Sequence, residues 1–190
     1  LFRPQEGNSL QVWLQKTGYK TAVIGKYINM YGYTVDPITN TVTNPTGWDK
    51  FSLIVSAFGL EYFNYTLNED GVLKKYGSTT LEYQTDVLAN QAVSYINQRK
   101  DDGQPFFLWL TPHSPHRSGG KVDDDPLSTY YPVPAPRHNG KYANQAMPNW
   151  PNLNEADVSD KASHVRNRPL FSAATSSLVV TSFRKRIESN

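Results

Sequence analysis

Gly18-Tyr19-Lys20-Thr21-Ala22-Val23-Ile24-Gly25-Lys26-Tyr27-Ile28-Asn29-Met30 is the stretch whose reading decides the fold. A short apolar run, Ala22-Val23-Ile24, stops at a glycine and delivers a lysine. The pattern predicts a buried strand whose next side chain reaches the rim of a sheet, where open α/β sheets place ligands. A lysine there is a fixed positive charge, suited to an anionic group such as sulfate or phosphate. Just upstream, Ser9 is placed to cap a helix over 10–17 and Gly18 to close it. Leu10, Trp13 and Leu14 share one face at the i, i+3, i+4 spacing of an amphipathic helix. Helix, glycine and buried strand make the return half of an α/β unit.

Outward from that unit, residues 31–50 are rich in Thr, Asn, Pro and Gly and read as loop. Tyr62 to Leu67 reads as a strand. Asn68-Glu69-Asp70-Gly71 reads as a hairpin turn, because Asp-Gly supplies positive φ, and Val72 to Tyr76 as the return strand. Leu81 to Arg99 is the clearest helix, with Leu81, Leu88, Ala92, Tyr95 and Ile96 on one face and polar residues opposite. Asp101-Asp102-Gly103-Gln104-Pro105 breaks it. Phe106 to Leu110 is then a continuous apolar run, the pattern of a central parallel strand. Residues 117–170 are proline-rich with little periodicity, either a long ordered loop or a loose tail. Residues 176–188 suggest a final helix. The chain thus divides into an α/β part (1–116), a Pro-rich loop region (117–170) and a terminal helix (171–190).

A hydrophobic content of 38% and a charged content of 19% exclude a disordered or fibrous chain. A net charge of +2 is too small to argue for nucleic acid or an anionic membrane surface. No apolar run approaches the roughly 18–20 residues of a membrane span, and no pattern marks an oligomeric state. Cysteine is absent, which excludes disulfides and cysteine-zinc sites within the chain. Asn64-Tyr65-Thr66 is an acceptor sequon, making Asn64 a candidate glycosylation site. The first residue, Leu1, and the helix-like end at Asn190 are read as the limits of a fragment of a longer protein. The alternative is a mature domain after processing.

Two side chains carry the chemistry expected of an anion site. Lys26 at a strand end can hold an oxyanion without reorganising; the plain alternative is a solvated surface lysine. His113 directly follows the predicted strand over 106–110, after Thr111-Pro112, and imidazole titrates in a useful range for proton transfer. His116 lies three residues on and can line the same pocket or serve only the surface. A zinc site on His113 and His116 lacks a third ligand and an HExxH helix. Asp123-Asp124-Asp125 is a candidate cation loop, though such runs are usually just solvated.

The opening stretch resembles the second signature of the type I sulfatases, roughly Gly-Tyr-x-Thr-x-x-x-Gly-Lys-aromatic, through Gly18, Tyr19, Thr21, Gly25, Lys26 and Tyr27. Ile28 stands where His or Leu is usual. The resemblance continues in Gly47-Trp48-Asp49, Tyr83-Gln84-Thr85-Asp86, Pro105 to His113, Pro132 to Arg137 and Asn154 to Lys161. It is strongest to the arylsulfatase and N-acetylglucosamine-6-sulfatase branch. It implies an alkaline-phosphatase-like α/β fold with a mixed, mostly parallel sheet flanked by helices, present as an incomplete portion. It also implies hydrolysis of sulfate monoesters of small-molecule or glycan substrates. Lys26 is expected to hold the sulfate, His113 to meet the sulfate or leaving oxygen, and Asn29 and His116 to contact substrate. The implied cofactor is calcium, on ligands outside this chain. The family nucleophile, a formylglycine made within Cys/Ser-x-Pro-x-Arg, has no counterpart here; Ser114-Pro115-His116-Arg117 lacks the spacer. The isolated chain is therefore expected to be inactive, and its parent to be secreted, lysosomal or periplasmic. The rival readings are a noncatalytic binder of sulfated glycans and a phosphoester hydrolase of the same superfold.

Overall fold

The structure, a computed structural model, describes residues 3–28, 31, 44–55, 61–119, 131–148 and 150–189. Helix α1 (Leu10–Lys16) leads into strand β1 (Lys20–Gly25), followed by β2 (Lys50–Val55), β3 (Thr66–Glu69) and β4 (Val72–Lys75). Helix α2 (Gln84–Arg99), strand β5 (Phe106–Thr111) and helices α3 (Ser163–Arg166) and α4 (Ala173–Glu188) complete the order. The five strands form one sheet in the order β4-β3-β2-β1-β5. β1 lies parallel to both β2 and β5, while β2–β3 and β3–β4 are antiparallel. This is a mixed α/β sheet with helices packed on it.

β1 holds the middle because its sequence can be buried on both faces. Thr21 to Ile24 are 0% exposed, so no polar face needs water. On one face Ile24, Ile54, Leu67, Leu88 and Ala92 join into a core that seats α2. Fully burying a side chain such as Ile24 or Leu67 contributes about 1.5–3 kcal/mol relative to leaving it in water. On the other face Val23, Trp48, Phe51 and Leu53 pack with Tyr27 and Phe107.

The hairpin forms as the sequence predicts. Glu69 pairs with Val72, and Asp70 (φ 50) and Gly71 (φ 93) supply the two positive-φ positions of its two-residue turn. Its first strand, however, runs Thr66–Glu69 rather than from Tyr62, because Tyr62 turns inward to a separate cluster with Tyr83 and Ala135. The helix expected from Leu81 starts at Gln84, after a 3-10 turn over Thr80–Glu82. There Thr79 and Glu82 form a reciprocal capping box that leaves Leu81 outside the core.

Three further expectations are corrected. Phe106–Thr111 pairs only with β1 among the described residues, so it is an outer strand rather than a central one, and Trp109 and Leu110 are exposed. The apolar face of α1 does not turn inward: Leu10 and Trp13 are about half exposed, and Gln11 is the buried residue, donating to Tyr27 Oη at 3.1 Å and the Thr46 carbonyl at 3.3 Å. Ser9 occupies the N-cap position of α1, but its hydroxyl donates back to the Glu6 carbonyl and caps nothing. Strand β2 was hidden at the end of a polar stretch, although Phe51 to Ile54 are all buried. The Pro-rich region is ordered at 131–137, where Tyr131, Pro132, Pro134 and Ala135 are buried.

Candidate anion site at the sheet rim

The parallel register of β1 and β5 brings the two sequence candidates to the same edge. Gly25 pairs with Thr111, so Lys26 and His113 both leave the carboxyl ends of neighbouring strands. Thr111 clamps the lysine backbone from both sides: its carbonyl accepts from Lys26 N at 2.8 Å and its hydroxyl donates to the Lys26 carbonyl at 2.6 Å. Gly25 makes this approach possible. It sits at φ +114, and a Cβ there would lie 2.0 Å from the Thr111 carbonyl oxygen. Lys26 is half-buried, and no carboxylate pairs with its ammonium among the described residues.

His113 is 4% exposed. Its Nε2 lies 2.9 Å from the Arg117 carbonyl, and His116 Nδ1 lies 3.0 Å from the same oxygen. A carbonyl only accepts, so both nitrogens carry protons, and His113 Nδ1 presents a lone pair. That Nδ1 is buried with no hydrogen-bond partner among the described residues. Burial pushes the imidazole pKa down to about 4; the Arg117 carbonyl opposes this, and the positive charges of His116 and Lys26 add to it. His113 is thus neutral at pH 7, and Lys26 is close enough for its charge to be felt there. Tyr62 packs against the His113 ring at 5.2 Å, the His116 ring lies at 4.8 Å, and the Tyr62 hydroxyl donates to the His116 carbonyl at 2.6 Å. Burial raises the Tyr62 pKa, so its phenol stays a donor. Tyr62 has no local pattern announcing this role; it reaches the histidines only through the tertiary fold.

Most of the signature residues around Lys26 are structural. Gly18 (φ 91) closes α1 with its N–H on the Gln15 carbonyl and that of Tyr19 on the Leu14 carbonyl, the paired bonds of a Schellman turn. Thr21 donates its hydroxyl to the Gly47 carbonyl at 2.8 Å, and its N–H donates to Asp49 at 2.8 Å. Burial opposes ionisation of Asp49, but hydrogen bonds from Thr21 and Gln15 and the charge of Lys20 hold its pKa below the usual range. Tyr27 stands edge-on to Tyr31, Trp48 and Trp109. Farther along, Gln84 donates to the Glu61 carbonyl at 2.7 Å and Tyr83 to the Val133 carbonyl at 2.9 Å. Asp86 pairs with both terminal nitrogens of Arg137. The signature therefore builds a scaffold and leaves Lys26 as its one charge at the rim.

Of the remaining candidates, His116 is exposed and joins His113, whereas Asn29 lies outside the described residues. Asn64 is exposed at φ 54, in the turn before β3. Asp123-Asp124-Asp125 also lie outside the described residues. Among the described residues no three of His, Cys, Asp or Glu converge.

A lysine and a histidine thus stand at the carboxyl ends of adjacent parallel strands, the part of an open α/β sheet where ligands bind. A family model described as Sulfatase matches residues 2–172, and the chain belongs to the sulfatase family. It is 31% identical over 189 residues to an arylsulfatase of Volvox carteri, covering 95% of this chain and 28% of that protein. It is 33% identical over 115 residues to the N-acetylglucosamine-6-sulfatase of Homo sapiens, covering 59% of this chain and 20% of that protein. A putative extracellular sulfatase Sulf-1 homolog of Caenorhabditis elegans is 34% identical over 114 residues, covering 58% of this chain and 15% of that protein. The chain thus spans less than a third of these relatives. Among solved structures it resembles BT4656 in complex with its substrate D-glucosamine-2-N,6-O-disulfate, with TM-score 0.51 and 26% identity over 75% of this chain and 23% of that one. Among the described residues no helix is long and apolar enough to cross a membrane.

Proposed function

We propose that this chain supplies part of the active site of a sulfuric ester hydrolase acting on sulfate monoesters of aryl or sugar substrates. The observation that carries the reading is an ammonium without an acidic partner among the described residues and a buried imidazole that feels its charge, on neighbouring strand ends of a sulfatase-family chain. Lys26 holds the sulfate oxygens in place while the electron pair of the breaking S–O bond passes to the departing oxygen; removing one such fixed donor typically costs about 10²–10³ in rate. His113 faces the departing oxygen. Its neutral ring offers Nδ1 as an acceptor, so donating a proton there requires the imidazolium. An anion bound between His113 and Lys26 favours that form and raises its pKa. His116 and Asn29 contact the rest of the substrate. The formylglycine nucleophile and the calcium ligands come from outside this chain, which alone is inactive. Two relatives named as extracellular sulfatases support a secreted, lysosomal or periplasmic setting, and exposed Asn64 a glycan.

Histidine-resolved NMR titration with inorganic sulfate tests the site. Sulfate raises the His113 pKa from about 4, and Lys26→Ala abolishes the rise. In the longer protein, Lys26→Ala lowers aryl sulfate hydrolysis by about a hundredfold or more. An unchanged His113 titration with sulfate refutes the site. Intact sulfate binding in a longer protein without hydrolysis supports the noncatalytic reading instead.

A further inference from the structure

Asn139-Gly140 is the one Asn-Gly pair in the sequence, and both residues are exposed. They stand in a run of tight turns, where the His138 N–H donates to the Ala135 carbonyl, Lys141 to His138 and Ala143 to Gly140. The Gly140 N–H itself finds no acceptor among the described residues. Gly140 sits at φ +79, and nothing lies within 4 Å of the place a Cβ would take. Its nitrogen is therefore unhindered and unbonded, next in the chain to the Asn139 amide.

That amide is also gripped from outside the turn. Lys185, in the last turn of α4, donates from Nζ to Asn139 Oδ1 at 3.1 Å. Two further bonds fasten the same turn to α4: the Tyr142 N–H donates to Glu188 Oε1 at 3.2 Å, and Arg184 Nε to the Gln145 carbonyl at 3.0 Å. An ammonium on an amide oxygen draws electrons from the carbonyl carbon and stabilises negative charge arriving on that oxygen. The two Asp-Gly pairs are unlike it. Asp70 accepts from the Phe51 N–H at 2.8 Å and from the Lys50 ammonium, and Asp102 accepts from the Gln104 N–H at 3.1 Å and pairs with Arg99 at 2.9 Å. Both oxygens of each carboxylate are engaged, and a carboxylate is a poor target for a nucleophile.

We propose that Asn139 is a self-modification site: it deamidates through Gly140, and Lys185 promotes the step. A base in solvent takes the Gly140 N–H proton, and the nitrogen attacks Asn139 Cγ. The N–Cγ bond forms, the Cγ–Nδ2 bond breaks, and Nδ2 leaves as ammonia after taking a proton from water. Water then opens the resulting succinimide at either carbonyl, which leaves aspartate or isoaspartate at 139. Aspartate lowers the net charge of +2 by one unit and keeps a partner for Lys185. Isoaspartate runs the main chain through its side chain, adds an atom before Gly140 and shifts Tyr142 out of register with Glu188. The end of α4 then loosens from the turn that holds it. None of this depends on the sulfatase reading.

Peptide mapping by mass spectrometry, with isoaspartyl methyltransferase labelling, follows the protein through incubation at mildly alkaline pH, folded and in urea. Conversion at Asn139 is expected in the folded protein, rising with pH, and isoaspartate raises hydrogen exchange at Tyr142. Lys185→Met slows conversion several-fold in the folded protein and changes nothing in urea, whereas Lys185→Arg keeps the rate. An Asn139 that stays intact in the folded protein while the unfolded chain converts overturns the proposal. Equal folded rates for the wild type and Lys185→Met do the same. A Lys185→Met chain that fails to fold shows itself by matching its own rate in urea; a slow Lys185→Arg then overturns the role of the charge, and a fast one supports it. A linked peptide joining 139 to 185, with ammonia lost and no water gained, overturns the proposal in favour of a cross-link.

Discussion

Replacing Gly25 by alanine probes the joint on which the site depends. Gly25 is the last residue of β1, at φ +114, and its missing side chain points at the backbone of β5. An alanine Cβ would meet the Thr111 carbonyl oxygen at 2.0 Å and its carbonyl carbon at 2.5 Å. Both atoms are backbone, so relief requires the two strand ends to part by about an ångström or more. Parting breaks the Lys26 N–H bond to Thr111 and the Thr111 hydroxyl bond to Lys26. Backbone strain of about 1–3 kcal/mol and two lost hydrogen bonds of about 0.5–1.5 kcal/mol each put the cost at about 2–6 kcal/mol, centred near 4. Gly18→Ala is the control. It also has positive φ, +91, but nothing lies within 4 Å of its Cβ, so only the strain remains, about 1–2 kcal/mol. Urea denaturation measures both. With a slope of about 2 kcal/mol/M, Gly25→Ala lowers the midpoint by about 2 M and the control by less than about 1 M. A Gly25→Ala midpoint equal to that of Gly18→Ala would refute the close strand approach and the fixed placement of Lys26 with it.

Other perturbations test separate parts of the structure. His113 titrates near 4 rather than near 6.5; its folded pKa is depressed, so its contribution is fully present above about 6.5 and fades as pH falls toward 4. The contribution lost is about 3–4 kcal/mol, read as a pH-dependent unfolding midpoint that His113→Asn flattens. Thr21→Val, at a fully buried side chain, leaves the half-buried Gly47 carbonyl without its 2.8 Å donor and costs about 1–3 kcal/mol by urea denaturation. Gly71→Ala at φ +93 in the hairpin costs about 1 kcal/mol by the same measurement, and a stabilised variant contradicts the turn geometry. Secreted from a eukaryotic host, the protein loses an endoglycosidase-sensitive mass on Asn64→Gln; identical gel mobility removes Asn64 as a glycan site.

Local chemistry was enough for some elements. The Ala22-Val23-Ile24 run has no polar face, so it must be a fully buried strand, and all three residues are 0% exposed. Asp70-Gly71 permits the positive φ that a two-residue hairpin requires, so the turn was legible from two letters. Leu88, Ala92 and Tyr95 follow helical spacing and do line the inner face of α2. Phe106–Thr111 shows the opposite case. Its apolar run is the same whether a second strand lies beside it or not, so edge or centre is a property of its neighbours. Leu10 and Trp13 likewise fit an inward face, yet Gln11 took that face because Tyr27 and Thr46 offered hydrogen bonds to its amide.

By itself the sequence determined that a positive charge stands at the end of a buried strand and that an imidazole follows another apolar strand. Both facts are local, because backbone conformation and burial are set by neighbouring residues. Only the tertiary structure decided that those two strands are parallel neighbours in register. It also decided that His113 loses its charge to burial, and that Tyr62, His116 and the Arg117 carbonyl gather around it. Pairing partner, desolvation and the approach of distant side chains depend on where other parts of the chain lie in space, and no spacing between letters encodes that directly.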